Sequence, residues 1–89
     1  MIVANERGRM KEMPTATVYM TDTCPYCVMM INYLKEKNIN VRTVNVQHDQ
    51  RAAQRLISTT GQMGVPQTEI NGKWIIGFDP NSVEQALRG

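Results

Sequence analysis

Only one histidine, two cysteines and a net charge of +2 occur in this 89-residue sequence, and it contains no long apolar stretch. Each shortage removes a class of protein. A structural zinc site takes four side-chain ligands, which Cys24, Cys27 and His48 do not supply within one chain. A disulfide scaffold needs bridges spread along the sequence. Here the two cysteines stand three positions apart, and a loop that short adds little chain-entropy stabilisation. A membrane-spanning helix needs ~20 consecutive apolar residues, so no membrane role is expected. The slight positive balance, without a Lys/Arg cluster, points away from nucleic acid. Arg51 and Arg55 lie one helical turn apart and read as a solvated face. Residues 1–12 lack the apolar core of a signal peptide. Residues 1–13 are expected to be a flexible extension, with Met10 and Met13 as candidate alternative starts, and 14–89 the domain. Paired cysteines without an export signal predict a cytoplasmic protein with redox or metal chemistry.

What remains is ordinary and foldable. With 42% hydrophobic and 20% charged residues the chain has the balance of a globular domain, not of a disordered one. Its length suits one core and no second. Thr15 to Met20, rich in β-branched residues and bounded by Pro14 and Thr21-Asp22, reads as the first strand. A helix should follow Cys24, with Pro25 at its first position, where a missing N–H costs nothing. Cys27, Met30, Ile31 and Leu34 then recur at i, i+3, i+4 and i+7 and form an inward stripe that ends near Lys35, Lys37 and Asn38. Val41 to Val46 reads as a second strand, with Val44 and Val46 on one face. A second helix is expected from His48-Asp49, with Ala52, Ala53 and Leu56 sharing a face and Gly61 as its stop. Gln67 to Ile70 and Lys73 to Ile76 are strands joined by Asn71-Gly72, a type I′ hairpin signal. The last helix is capped by Asp79, opened by Pro80, and turns Val83, Ala86 and Leu87 inward. The order β-α-β-α-β-β-α demands one parallel crossover and one antiparallel hairpin. A four-stranded mixed sheet flanked by three helices, an α/β fold, meets both demands.

Thiol–disulfide exchange needs a thiolate, an accessible sulfur and a second thiol to resolve the mixed disulfide. Cys24 sits where a strand hands over to a helix, so its sulfur faces unpaired N–H groups and the positive end of the helix dipole. That placement favours the thiolate by up to ~2 kcal/mol in good geometry. Cys27, on the inward stripe, should be more buried and more protonated. Cys24 is thus the expected nucleophile and Cys27 the resolving thiol. Pro25 stiffens the turn between them, and Tyr26 offers an amphipathic surface beside the sulfur. Asp22, two residues before Cys24, is expected to face water, where screening weakens its charge. His48 reads as a surface or capping residue, and no metal site is expected. Met30 is expected in the core, Met29 and Met63 at the surface near the sulfur or a partner, and Trp74 in packing.

Three motifs in order give the chain a resemblance to the glutaredoxin family over roughly Thr15 to Leu87. Cys24-Pro25-Tyr26-Cys27 after a short strand resembles the active site of its dithiol members. Gly64-Val65-Pro66 resembles the proline loop of the thioredoxin fold, and Asn71 to Asp79 resembles the hairpin and Gly-containing turn that follow. The resemblance implies a thioredoxin-like fold, a cis Val65–Pro66 bond beside the cysteines, and a Val65 backbone that pairs with an extended substrate. It also implies that Gly77, Phe78 and Asp79 take the γ-glutamyl end of a glutathione-like ligand, with Thr23 and Tyr26 lining the thiol site. The implied activity is reduction of protein disulfides or mixed disulfides by a monomer with no tightly bound cofactor. Electrons would come from glutathione, another small thiol or a thioredoxin-reductase-like flavoprotein. Thr21 stands where many members have lysine, and Ile76 replaces the first of two glycines. The Gly77-Phe78-Asp79-Pro80 stretch resembles redoxins that pass electrons to ribonucleotide reductase and are recharged by thioredoxin reductase, and also a group of small glutaredoxin-like proteins of unassigned substrate. A different class of function, an iron–sulfur cluster shared by two chains through Cys24, is the rival reading.

Overall fold

The computed structural model describes residues 14–88, so the expected extension over residues 1–13 lies outside the described part. Seven elements follow in the expected order. They are β1 (Thr15–Met20), α1 (Pro25–Glu36), β2 (Asn40–Asn45), α2 (Gln50–Thr60), β3 (Gln67–Ile70), β4 (Lys73–Ile76) and α3 (Pro80–Arg88). The strands form one sheet in the order β2-β1-β3-β4. β1 runs parallel to β2 and antiparallel to β3, and β3 pairs antiparallel with β4. This is the thioredoxin-like architecture of the glutaredoxin type.

Period-two alternation sorts the strand residues onto two faces. Ala16 and Val18 face one way together with Ile70 and Ile75, and meet Met30 and Leu34 of α1 and Val83 and Ala86 of α3 in a buried cluster. Ile31, Tyr33, Phe78 and Leu87 are half-buried at its margin. Ala52 and Leu56 of α2 are also buried but outside that cluster, which puts α2 on the opposite face. There Trp74 packs against Tyr19 at 5.5 Å between ring centroids, the packing role expected of it.

Local chemistry ends the elements where it should. At the C-terminus of α1, Ile39 N–H donates to Leu34 O (3.1 Å) and Asn38 N–H to Lys35 O (3.0 Å), with Asn38 at φ 62°. This is a Schellman motif, in which asparagine tolerates the left-handed conformation. It seats Ile39 in the core beside Leu34. Asp49 caps α2 by accepting from Ala52 N–H at 3.0 Å. Asn71 and Gly72 both have positive φ, 54° and 80°, as a two-residue type I′ turn requires.

Two boundaries differ from expectation. β2 begins at Asn40 and ends at Asn45, because its parallel register starts from Thr15↔Asn40. Val46 lies past the strand, although its N–H still donates to Met20 O at 2.9 Å. The second helix starts at Gln50, with Asp49 as its cap, so His48 lies in the preceding loop.

Candidate active site

Strand register gathers four connections at one edge of the sheet. Met20, the last residue of β1, pairs with Asn45, the last of β2. Tyr19 pairs with Gln67, the first residue of β3, and Gln67 pairs with Ile76, the last of β4. The β1–α1 loop with Cys24, the β2–α2 loop with His48, the α2–β3 loop with Val65 and Pro66, and the β4–α3 turn with Gly77 to Asp79 therefore leave from the same edge. All the expected site residues lie on three of them or, for Tyr26 and Cys27, in the first turn of α1.

Cys24 is the N-cap of α1, extended at φ −143°, with Pro25 behind it at the start of the helix. Cys24 Sγ accepts from Cys27 N–H at 3.1 Å, and Cys24 O accepts from Cys27 and Val28 N–H. The two sulfurs are joined as a disulfide, with 5.2 Å between Cα atoms. Cys27 is 1% exposed, whereas Cys24 is half-buried and flanked by exposed Thr23, Pro25 and Tyr26. An approaching sulfur therefore reaches Cys24 first. The N–H aimed at its sulfur favours a thiolate once the bridge opens.

The Val65–Pro66 bond is cis, Val65 is half-buried and Pro66 buried. Pro66 O accepts from Gly77 N–H at 2.8 Å, which ties this loop to the β4–α3 turn. Gly77 adopts φ 79°, a conformation that a side chain would strain. Phe78 is half-buried and packs edge-on against Tyr33 at 6.0 Å. Asp79 caps α3: Ser82 N–H donates to one carboxylate oxygen (3.3 Å) and Ser82 Oγ to the other (2.8 Å). Those bonds, the Ser82 hydroxyl first, hold the Asp79 carboxyl below the usual carboxylate range.

Two arrangements escaped the sequence. Gln67 is fully buried, and its Nε2 donates to Gln62 O (3.0 Å) and Gly64 O (2.8 Å), which stiffens the loop before Pro66. Its place directly after the proline, at the first position of the strand, was the available signal. The second is a network around Asp22. Asn45 Nδ2 donates to Asp22 Oδ1 (2.7 Å), His48 Nε2 lies 2.7 Å from Oδ2, and Asp22 N–H donates to Gln47 Oε1 (3.0 Å). An ionised carboxylate only accepts, so Nε2 carries the proton. Asp22 is exposed as expected, yet it is fully engaged and braces the loop before Cys24 against the β2–α2 loop. His48 is a surface residue, and Asp49 does the capping. Among the described residues no three His, Cys, Asp or Glu side chains gather to hold a metal ion.

The hydrogen bond from His48, then that from Asn45, lowers the Asp22 pKa. Glu84 is lowered chiefly by Lys37, to which it is ion-paired. A carboxylate with a depressed folded value stabilises the fold above its unfolded value of about 4, and that contribution is lost as pH falls through the folded value. The urea midpoint of Asp22→Asn should lie below that of the unsubstituted protein at pH 7, and the two should converge as the pH approaches ~2. An equal gap at both pH values would show that the charge is irrelevant.

Similarity to known proteins follows the same outline. The family model described as Glutaredoxin matches residues 16–75. An uncharacterised glutaredoxin-like 8.6 kDa protein in the rubredoxin operon of Clostridium pasteurianum is 37% identical over 70 residues, 79% of this chain and 93% of that protein. The prophage-derived thioredoxin-like protein YosR of Bacillus subtilis is 36% identical, covering 73% of this chain and 84% of its own. Among solved structures, the thioredoxin-like protein BC3987 superposes with a TM-score of 0.74 at 28% identity, over 80% of this chain and 97% of that one. The glutaredoxin-like NrdH-redoxin of Escherichia coli gives 0.73 at 20% identity, over 80% and 92%, a likeness of fold. No helix among the described residues is long and apolar enough to cross a membrane.

Proposed function

The chain belongs to the glutaredoxin family, and from that premise we propose that it reduces protein disulfides through the Cys24/Cys27 dithiol. The observation that carries this reading is the asymmetry of the pair: a reachable sulfur at a helix mouth, bonded to one that is 1% exposed. The Cys24 thiolate attacks one sulfur of the target disulfide and forms a mixed disulfide, while the other target sulfur leaves as a thiolate and takes up a proton. Cys27, giving up its proton, then attacks the Cys24 sulfur. The second target thiol is released and the Cys24–Cys27 disulfide remains. Two electrons have passed to the target.

The recharging step returns two electrons from a small thiol such as glutathione or from a thioredoxin-reductase-like flavoprotein. Chemistry at the site edge favours the flavoprotein. Residues 21–29, 62–66 and 76–82 contain no lysine or arginine to meet the carboxylates of glutathione. The Asp79 carboxylate, which would meet its ammonium, is already engaged by Ser82. Tyr26 (61%), Met29 (45%) and Met63 (64%) are exposed instead and suit an apolar protein surface. A reducing compartment such as the cytoplasm keeps this cycle running, and the chain works as a monomer. A disulfide of ribonucleotide reductase is one substrate of the proposed class.

The test is direct. Reduced protein should cleave the disulfides of insulin. The oxidised form should be recharged faster by NADPH with thioredoxin reductase than by glutathione with its reductase. Failure to cleave insulin sinks the function; faster recharging by glutathione overturns the proposed electron source.

A further inference from the structure

Gln67 is an odd residue to bury. It is 0% exposed, and its Oε1 has no hydrogen-bond partner among the described residues, although an unpaired buried acceptor is costly. The amide cannot gain by turning over, since Oε1 would then face two carbonyl oxygens in place of Nε2. All its side-chain hydrogen bonding therefore goes through Nε2, to Gln62 O and Gly64 O. Those carbonyls flank Met63, which is 64% exposed at the tip of the loop. Thr60 closes the same loop from the other side, with its Oγ1 accepting from Gln62 N–H at 3.2 Å. The loop thus hangs by its backbone from a buried amide, and the one large apolar side chain between the two anchor points is turned outward.

We propose that Gln67 is a positioning residue, and that Met63, which it holds exposed, is a specificity contact for an apolar residue flanking the cysteine of a protein substrate. This rests on the reading that the chain reduces protein disulfides. The occupant is an apolar protein segment because Asp22 and Asp79 are the only charged residues in the three loop segments at the site, and both carboxylates are already engaged. Gln67 itself touches no substrate. Its backbone begins β3 directly after Pro66, so the clamp ties the loop that carries Val65 to the start of the strand.

Met63→Glu and Gln67→Met test the two halves, with insulin as the protein disulfide and a small aromatic disulfide as the reference. In each variant the ratio of kcat/KM on insulin to kcat/KM on the small disulfide should fall about tenfold, as expected for one well-placed apolar contact. Ile70→Val, a change in the buried part of the same strand, lowers stability without reaching the loop and should keep the ratio. A ratio preserved in Met63→Glu refutes the contact, and one preserved in folded Gln67→Met refutes the positioning role. Should Gln67→Met fail to fold, Gln67→Asn, which keeps an amide but shortens its reach, is read by the same criterion. If the unsubstituted protein cleaves the small disulfide but not insulin, the protein-disulfide reading itself fails and takes this inference with it.

Discussion

Cys24→Ser should abolish turnover of every disulfide, while Cys27→Ser should separate substrates into two classes. The reason lies in access and order of events. Cys24 alone presents its sulfur to the surroundings; Cys27 is 1% exposed and behind it. Without Cys24 no mixed disulfide forms, and activity should fall on the order of 10³-fold or more, as for other lost nucleophiles. Without Cys27 the mixed disulfide still forms but cannot be resolved from within. Protein disulfides then stall at that stage, whereas a glutathionylated substrate can be turned over when free glutathione attacks the intermediate. Kinetics with insulin and with a glutathionylated peptide, both variants side by side, check this. Equal losses on both substrates in both variants would contradict the division of roles.

Leu34→Ala should cost the fold about 3 kcal/mol, in the range of fully buried leucines elsewhere. Leu34 is 0% exposed, belongs to the main cluster, and supplies the carbonyl that Ile39 N–H bonds in the α1 terminus. Truncation leaves a cavity between α1 and the sheet and loosens the seat of Ile39. For a domain of this size the melting temperature should drop by roughly 12–24 °C. The urea m-value should stay the same, since the variant exposes the same surface on unfolding. A loss under ~1 kcal/mol would mean that the core collapses to fill the space.

Much of the geometry of the candidate site was readable in advance because its signals are local. Pro25 after Cys24, and Pro80 after Asp79, mark helix starts by the covalent chemistry of proline. Asn71-Gly72 marks a turn by its tolerance of positive φ. The three-residue offset of Cys27 from Cys24 puts one sulfur at the helix mouth and the other on the buried stripe. The boundary of β2 was misplaced by one residue because hydrophobic pattern says which residues are apolar, not where a parallel partner begins. The type of the Val65–Pro66 bond was readable only through family resemblance; nothing in those two residues dictates it.

The side-chain networks were not readable at all. Asp22 meets Asn45 and His48 across 23 and 26 residues of sequence. Gln67 meets carbonyls in its own preceding loop only because that loop folds back over the start of β3. What the amino-acid order determined unaided is therefore the set of elements, their caps and the unequal placement of two sulfurs, since all of these follow from interactions within one or two turns of chain. Only the tertiary structure decided which loops share an edge, which carboxylates are already engaged and which apolar side chains are left exposed beside Cys24. Those outcomes depend on the strand order β2-β1-β3-β4, a consequence of packing the whole core at once.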